Sequence, residues 1–105
     1  MTTIEHIQQL IADNKIILFM KGTPQFPQCG FSSRTVQVLK ACGADFASCD
    51  ILAHPDIRAE LPKYANWPTF PQLYIQGELI GGCDITLALY ESGELQTMID
   101  AVNKA

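Results

Sequence analysis

The sequence predicts an α/β fold, with a mixed four-stranded sheet flanked by helices on both faces, in a single domain spanning residues 1–105. Three observations carry that expectation. Ile16-Ile17-Leu18-Phe19-Met20 is a continuous apolar run of five, the pattern of a central strand covered on both sides. The early strand-like stretches are separated by helical ones, which implies a parallel crossover. Two short apolar runs late in the chain flank Gln76-Gly77, a hairpin signal that adds antiparallel strands.

Along the chain, Ile4, Ile7, Gln8 and Ile11 follow helical spacing, with Thr2 or Thr3 as N-cap and Asn14 as the stop. The apolar run of residues 16–20 is the first strand. Lys21 to Gln28 holds Gly22, Pro24 and Pro27 and is a loop. Phe31, Val38, Leu39 and Cys42 suit a helix that closes at Gly43. Asp45 to Leu52, with Phe46 and Ile51, is the second strand. Pro55 and Asp56 open another helix: proline has no N–H to leave unpaired there, and a carboxylate suits the positive end. Pro62 should end or kink that helix, because it lacks a donor and its ring crowds the preceding turn. Gln72 to Ile75 and Leu79 to Ile80 form the hairpin. Asp84 can cap a helix running to Glu91 and stopping near Gly93, and Leu95, Met98, Ile99 and Val102 mark a last one. There are no internal repeats, linkers or low-complexity tracts.

A chain of 105 residues holds one core and not two. With 48% hydrophobic and 17% charged residues, the composition is that of a globular protein rather than a disordered one. A net charge of −4 gives no reason to expect nucleic acid or an anionic membrane as partner, since both favour a basic patch. No segment approaches the ~18 apolar residues needed to span a bilayer. Met1 to Asn14 carries Glu5 and Asp13, without a basic or arginine-rich leader pattern. The expectation is a folded first helix and a cytoplasmic protein.

Cysteines stand at 29, 42, 49 and 83. An even count implies a disulfide framework only in a secreted context. No spacing is C-x-x-C, and His6 and His54 lie far from any cysteine pair in sequence, which argues against structural zinc. Cys42, on an apolar helix face, and Cys49, in a strand, suit inert buried positions. Cys29 differs. It follows a central strand and a proline-bearing loop and immediately precedes a helix. Unpaired N–H groups and the positive end of the helix dipole stabilise a thiolate there. The pKa should fall, making the sulfur nucleophilic or metal-ligating. Lys21, at the end of the preceding strand, adds a cation to the same rim.

Cys29-Gly30-Phe31-Ser32 resembles the CGFS signature of monothiol glutaredoxins. Lys21-Gly22-Thr23-Pro24, Trp67-Pro68-Thr69-Phe70-Pro71-Gln72 and Gly81-Gly82-Cys83-Asp84 are similar to further blocks of that family, in the same order and over nearly the whole chain. The match points to its short, single-domain bacterial form. The resemblance implies a thioredoxin-like fold. Dithiol relatives carry a second cysteine where this chain has Ser32. A Cys29–residue 32 disulfide is therefore chemically excluded, and thiol exchange needs an external thiol such as glutathione.

Glutathione carries two carboxylates, an extended backbone and a thiol. The resemblance assigns its carboxylates to Lys21 and Arg58. It makes Thr69-Phe70-Pro71 a cis-proline loop, with the Phe70 backbone pairing with the peptide like an added strand. It places the γ-glutamyl amine on Asp84 and the Cys83 backbone, while Asp84 also remains a candidate N-cap. Gly81-Gly82 would let the main chain approach the ligand. Cys83 has a second reading, a regulatory disulfide with Cys29. Tyr64 is expected in the core, and Trp67 either shields the site or joins the core. Pro62-Lys63 departs from the family pattern, in which some members have a basic residue one position earlier, so Lys63 is not assigned to the site.

A [2Fe–2S] cluster takes four thiolates, and one chain offers a single exposed candidate, Cys29. The resemblance implies a homodimer in which two Cys29 thiolates and two glutathione thiols supply the four. The partners it implies are iron–sulfur scaffold proteins, acceptor proteins and a BolA-type protein replacing one subunit. The alternative is an oxidoreductase that reduces glutathione mixed disulfides through Cys29. The feature that discriminates is the segment Lys21 to Gln28, which is longer in CGFS members than in active dithiol relatives. A third reading is an adaptor whose BolA-type pairing needs no metal.

Overall fold

The protein, described here as a computed structural model of residues 1–104, is built around Ile16–Met20. All five of these residues are buried, and they form the first strand, β1. The remaining elements are α1 (Thr3–Asp13), α2 (Gly30–Ala41), β2 (Ala47–Asp50), α3 (Pro55–Ala65), β3 (Gln72–Ile75), β4 (Glu78–Gly81), α4 (Cys83–Ser92) and α5 (Glu94–Lys104). The sheet order is β2-β1-β3-β4. β1 pairs with β2 in parallel and with β3 antiparallel, and the β3–β4 hairpin completes the mixed sheet. This is the arrangement expected from the sequence.

The pleat of β1 divides the core in two. Leu18 and Met20 point to one face, where Val36, Leu39, Leu95 and Ile99 cover them from α2 and α5. Ile17 and Phe19 point to the other, against Ile7 and Ile11 of α1, Ile57 and Leu61 of α3, and Tyr74 of β3. Alternation along a strand produces this split. Burial on both faces explains why the run shows no polar residue.

Local signals account for most boundaries. Thr2 caps α1 in a capping box: its Oγ1 accepts from Glu5 N at 3.1 Å, and Glu5 Oε1 accepts from Thr2 N at 3.0 Å. Gln76 and Gly77 both take left-handed φ, 49° and 80°, as a two-residue hairpin turn requires. Gly93 closes α4 at φ 84°.

Five expectations are corrected. β2 is shorter than residues 45–52, because the Asp50 carboxylate accepts from Leu52 N at 2.9 Å and turns the chain out of the sheet. α3 does not stop at Pro62. Leu61 is fully buried beside it, and the helix runs to Ala65, where Asn66 in the left-handed region ends it. Asp84 is not the N-cap of α4. Gly82 is, and Asp84 lies exposed in the first turn. Tyr64 is 43% exposed rather than core, since α3 packs through Ile57 and Leu61. Phe31 is 56% exposed, because the buried face of α2 is formed by Ser32, Thr35, Val36, Val38 and Leu39.

Candidate functional site

The C-terminal end of β1 opens into the loop of residues 21–28, which folds back on itself as a miniature hairpin. Gln28 N donates to Lys21 O at 2.9 Å, Gly22 bridges to Pro27, and Thr23 and Phe26 exchange backbone bonds of 3.2 and 3.1 Å. Gly22 is required at its position. Its φ is +88°, and a Cβ there would stand 2.5 Å from Phe26 O and 2.7 Å from Gln28 N. This hairpin delivers the chain to Cys29, the N-cap residue of α2.

The Cys29 side chain makes no capping bond of its own and is partly exposed. Partial desolvation pushes its pKa up. Against that act the backbone N–H groups of Ser32 and Phe31, the Ser32 hydroxyl and the Lys21 charge, and the net shift is below the ordinary thiol value. Both N–H groups lie in the first turn of α2, the setting that the sequence position suggested would favour a thiolate. Ser32 is fully buried, and its Oγ also accepts from Lys21 N at 3.2 Å. The sequence showed Ser32 only as a missing second thiol; in the structure its buried hydroxyl is among the groups that pull the Cys29 thiol down.

Beside Cys29 lies a cavity of about 740 Å3. Lys21, Cys29, Arg58, Phe70, Cys83 and Asp84, the residues singled out from the sequence, all line it. Lys21 comes from just past the end of β1, Arg58 from α3, and Cys83 and Asp84 from the first turn of α4. Trp67 and Phe31 add apolar wall and rim. Trp67 Nε1 is buried without a partner among the described residues.

One wall is the segment Trp67–Pro71, in which the Phe70–Pro71 peptide is cis. Buried Gln72 holds it: Nε2 donates to Trp67 O at 3.0 Å and to Thr69 O at 3.2 Å, while Oε1 accepts from Tyr74 OH at 3.0 Å. Gly82 faces this wall closely, with a Cβ there standing 3.3 Å from Pro71 O. The sequence names Gln72 only as the last residue of the Trp67–Gln72 block and assigns it no role; its bonds to Trp67 and Thr69 emerge from the structure.

The other thiols do not share this chemistry. Cys42 and Cys49 are buried away from the cavity. Burial, reinforced by Asp100, pushes the Cys42 thiol up. Burial, with Asp50 and Asp56 adding, pushes Cys49 up to about 11. Cys83 lines the cavity but is itself only 6% exposed. Among the described residues no three His, Cys, Asp or Glu side chains lie close enough to hold a metal ion. No helix of the described residues is long and apolar enough to cross a membrane.

The glutaredoxin family profile matches residues 16–80. Glutaredoxin 4 of Escherichia coli K12 is 65% identical over 98 residues, covering 93% of this chain and 85% of that protein. Glutaredoxin 4 of Pasteurella multocida is 58% identical over 99 residues, covering 94% and 91%. Among solved structures, reduced apo GrxS14 of poplar superposes with a TM-score of 0.82 at 48% identity, over 97% of this chain and 94% of the other. A buckwheat glutaredoxin–glutathione complex gives 0.84 at 26% identity, over 96% and 90%.

Proposed function

Because the chain belongs to the glutaredoxin family and is of its monothiol type, we propose that it binds a [2Fe–2S] cluster jointly with glutathione, as a homodimer, and delivers that cluster to acceptor proteins. The observation that carries this reading is the setting of Cys29: one partly exposed thiol of lowered pKa, at a cavity bordered by two cations, with a buried hydroxyl at position 32. A thiolate is the form that ligates iron. With no second thiol at position 32, Cys29 has no intramolecular competitor there for the metal.

Glutathione occupies the cavity in this reading. The cations of Lys21 and Arg58 take its carboxylates, the Phe70 main chain pairs with its backbone, and the start of α4 at Cys83 and Asp84 holds the γ-glutamyl end. The glutathione complex of the buckwheat protein, which has the same fold, supports this placement. The cluster is cargo. Two Cys29 thiolates and two glutathione thiols supply its four ligands, and half of them are held without a covalent bond to protein, so transfer to an acceptor is favoured. Scaffold proteins load it, and a BolA-type protein replaces one subunit. The domain works in the cytoplasm, with glutathione as its co-ligand.

The partly exposed, acidified thiol also favours a second reading, glutathione-dependent disulfide exchange. The Cys29 thiolate attacks the glutathione sulfur of a mixed disulfide and releases the protein thiol. A second glutathione thiolate then attacks Cys29–S–S–glutathione, regenerating Cys29 and forming glutathione disulfide. The two readings are separated by assaying mixed-disulfide turnover alongside anaerobic reconstitution with iron, sulfide and glutathione. Slow turnover with a coloured, glutathione-dependent product supports the carrier. Rapid turnover by a protein that stays colourless supports the enzyme.

A further inference from the structure

Asp50 lies at the end of β2, outside the cavity and absent from its wall. Its Oδ1 nevertheless accepts two backbone bonds of 2.9 Å, from Leu52 N in its own turn and from Gly22 N across 28 residues of sequence. The second bond is the informative one. Gly22 is buried, and its N–H is not used within the miniature hairpin of residues 21–28. A buried backbone N–H without an acceptor is costly, so the hairpin holds this shape only while something accepts from Gly22.

The neighbouring N–H, that of Lys21, donates to Ser32 Oγ at 3.2 Å. Two consecutive amides are thus pinned from two directions, Gly22 by β2 and Lys21 by α2. The hydroxyl that receives the Lys21 bond belongs to the first turn of α2, whose N-cap is Cys29, and it is among the groups that lower the Cys29 thiol. Lys21 also lines the cavity that Cys29 borders.

We infer that Asp50 is a positioning residue for the site: through Gly22 it fixes the backbone at residues 21–22, and so holds both the Ser32 hydroxyl and the Lys21 cation in place beside Cys29. This deepens the proposed function and rests on it for the use of Lys21 toward glutathione, but its effect on Cys29 requires no ligand.

The test is the pH dependence of Cys29 alkylation by iodoacetamide in the ligand-free protein, comparing wild type, Asp50→Ala and Asp50→Asn. Asp50→Ala removes the acceptor. It should raise the alkylation midpoint and slow the reaction several-fold at pH 7. Asp50→Asn keeps an oxygen acceptor in the same place and should restore the wild-type profile, which general destabilisation would not do. A midpoint unchanged in Asp50→Ala overturns the inference. So does an Asp50→Asn profile as displaced as that of Asp50→Ala, which would make charge the operative property. Should Asp50→Ala fail to fold, hydrogen exchange at the Gly22 amide of the wild-type protein decides. Strong protection is expected, and exchange at the rate of an open loop overturns the inference. Glutathione affinity, read separately from the fluorescence of the single tryptophan, Trp67, tests the underlying reading. A wild type that fails to bind glutathione, with the alkylation result intact, sinks that reading and leaves the positioning role standing.

Discussion

The Oγ of Ser32, a fully buried residue, accepts from the backbone N–H of Lys21 at 3.2 Å, and the same hydroxyl is among the groups that pull the Cys29 thiol down. A residue noted in the sequence for the thiol it lacks is therefore a structural link between the end of β1 and the start of α2. It also contributes to the lowered pKa of Cys29, the one cysteine of the four that is not buried.

Ser32→Ala tests that link. Removing a donor to the thiolate raises the Cys29 pKa, so less thiolate is present at neutral pH and alkylation slows. Loss of the buried bond to Lys21 N also costs about 1 kcal/mol of stability. Alkylation against pH and urea denaturation measure the two effects. An unchanged midpoint contradicts the role assigned to the hydroxyl.

Gly22→Ala should destabilise the protein. The alanine would need φ near +88° and would press its Cβ to 2.5 Å from Phe26 O, a combination costing about 1–3 kcal/mol or more. Gly30→Ala is the control, because nothing lies within 4 Å of a Cβ there. Denaturation midpoints of the two variants should differ clearly, Gly22→Ala being the lower.

Stability should fall in alkali. Cys49 is pushed up to about 11 from an ordinary 9.0, first by desolvation and then by Asp50 and Asp56. Tyr74 is pushed up to about 12 from 10.0, by desolvation and then Tyr64. Above the ordinary values the unfolded chain has lost these protons and the folded chain has kept them. Stability is thus full below about pH 9 and is lost as pH rises through 11 to 12. Cys49→Ala should flatten the first part of that decline, measured as denaturation free energy between pH 8 and pH 11.

Much of this architecture is legible in the sequence because its signals are local. The apolar run of β1, the N-cap at Thr2 (one of two candidates, Thr2 or Thr3) and the turn at Gln76-Gly77 each act over a few residues, and each forms the expected element. The strand-loop-helix setting of Cys29 is local as well. What escaped the sequence depends on distant partners. Asp50 reaches Gly22 from the strand beside β1, and Gln72 bonds to the Trp67 and Thr69 carbonyls. Exposure misleads in the same way. Phe31 and Tyr64 are large apolar or aromatic residues whose placement is set by how their helices dock, and both emerge exposed. The N-cap of α4 was misplaced because Gly82, with no side chain to signal a cap, starts the helix before Asp84.

The central claim is that Cys29 and glutathione together hold a shared cluster. Native mass spectrometry of the protein reconstituted anaerobically with iron, sulfide and glutathione tests it directly. The account predicts a species of two chains, one [2Fe–2S] cluster and two glutathiones. That species should be absent without glutathione and absent in Cys29→Ser. A protein that remains a cluster-free monomer under these conditions, or a Cys29→Ser variant that retains the cluster, would contradict it.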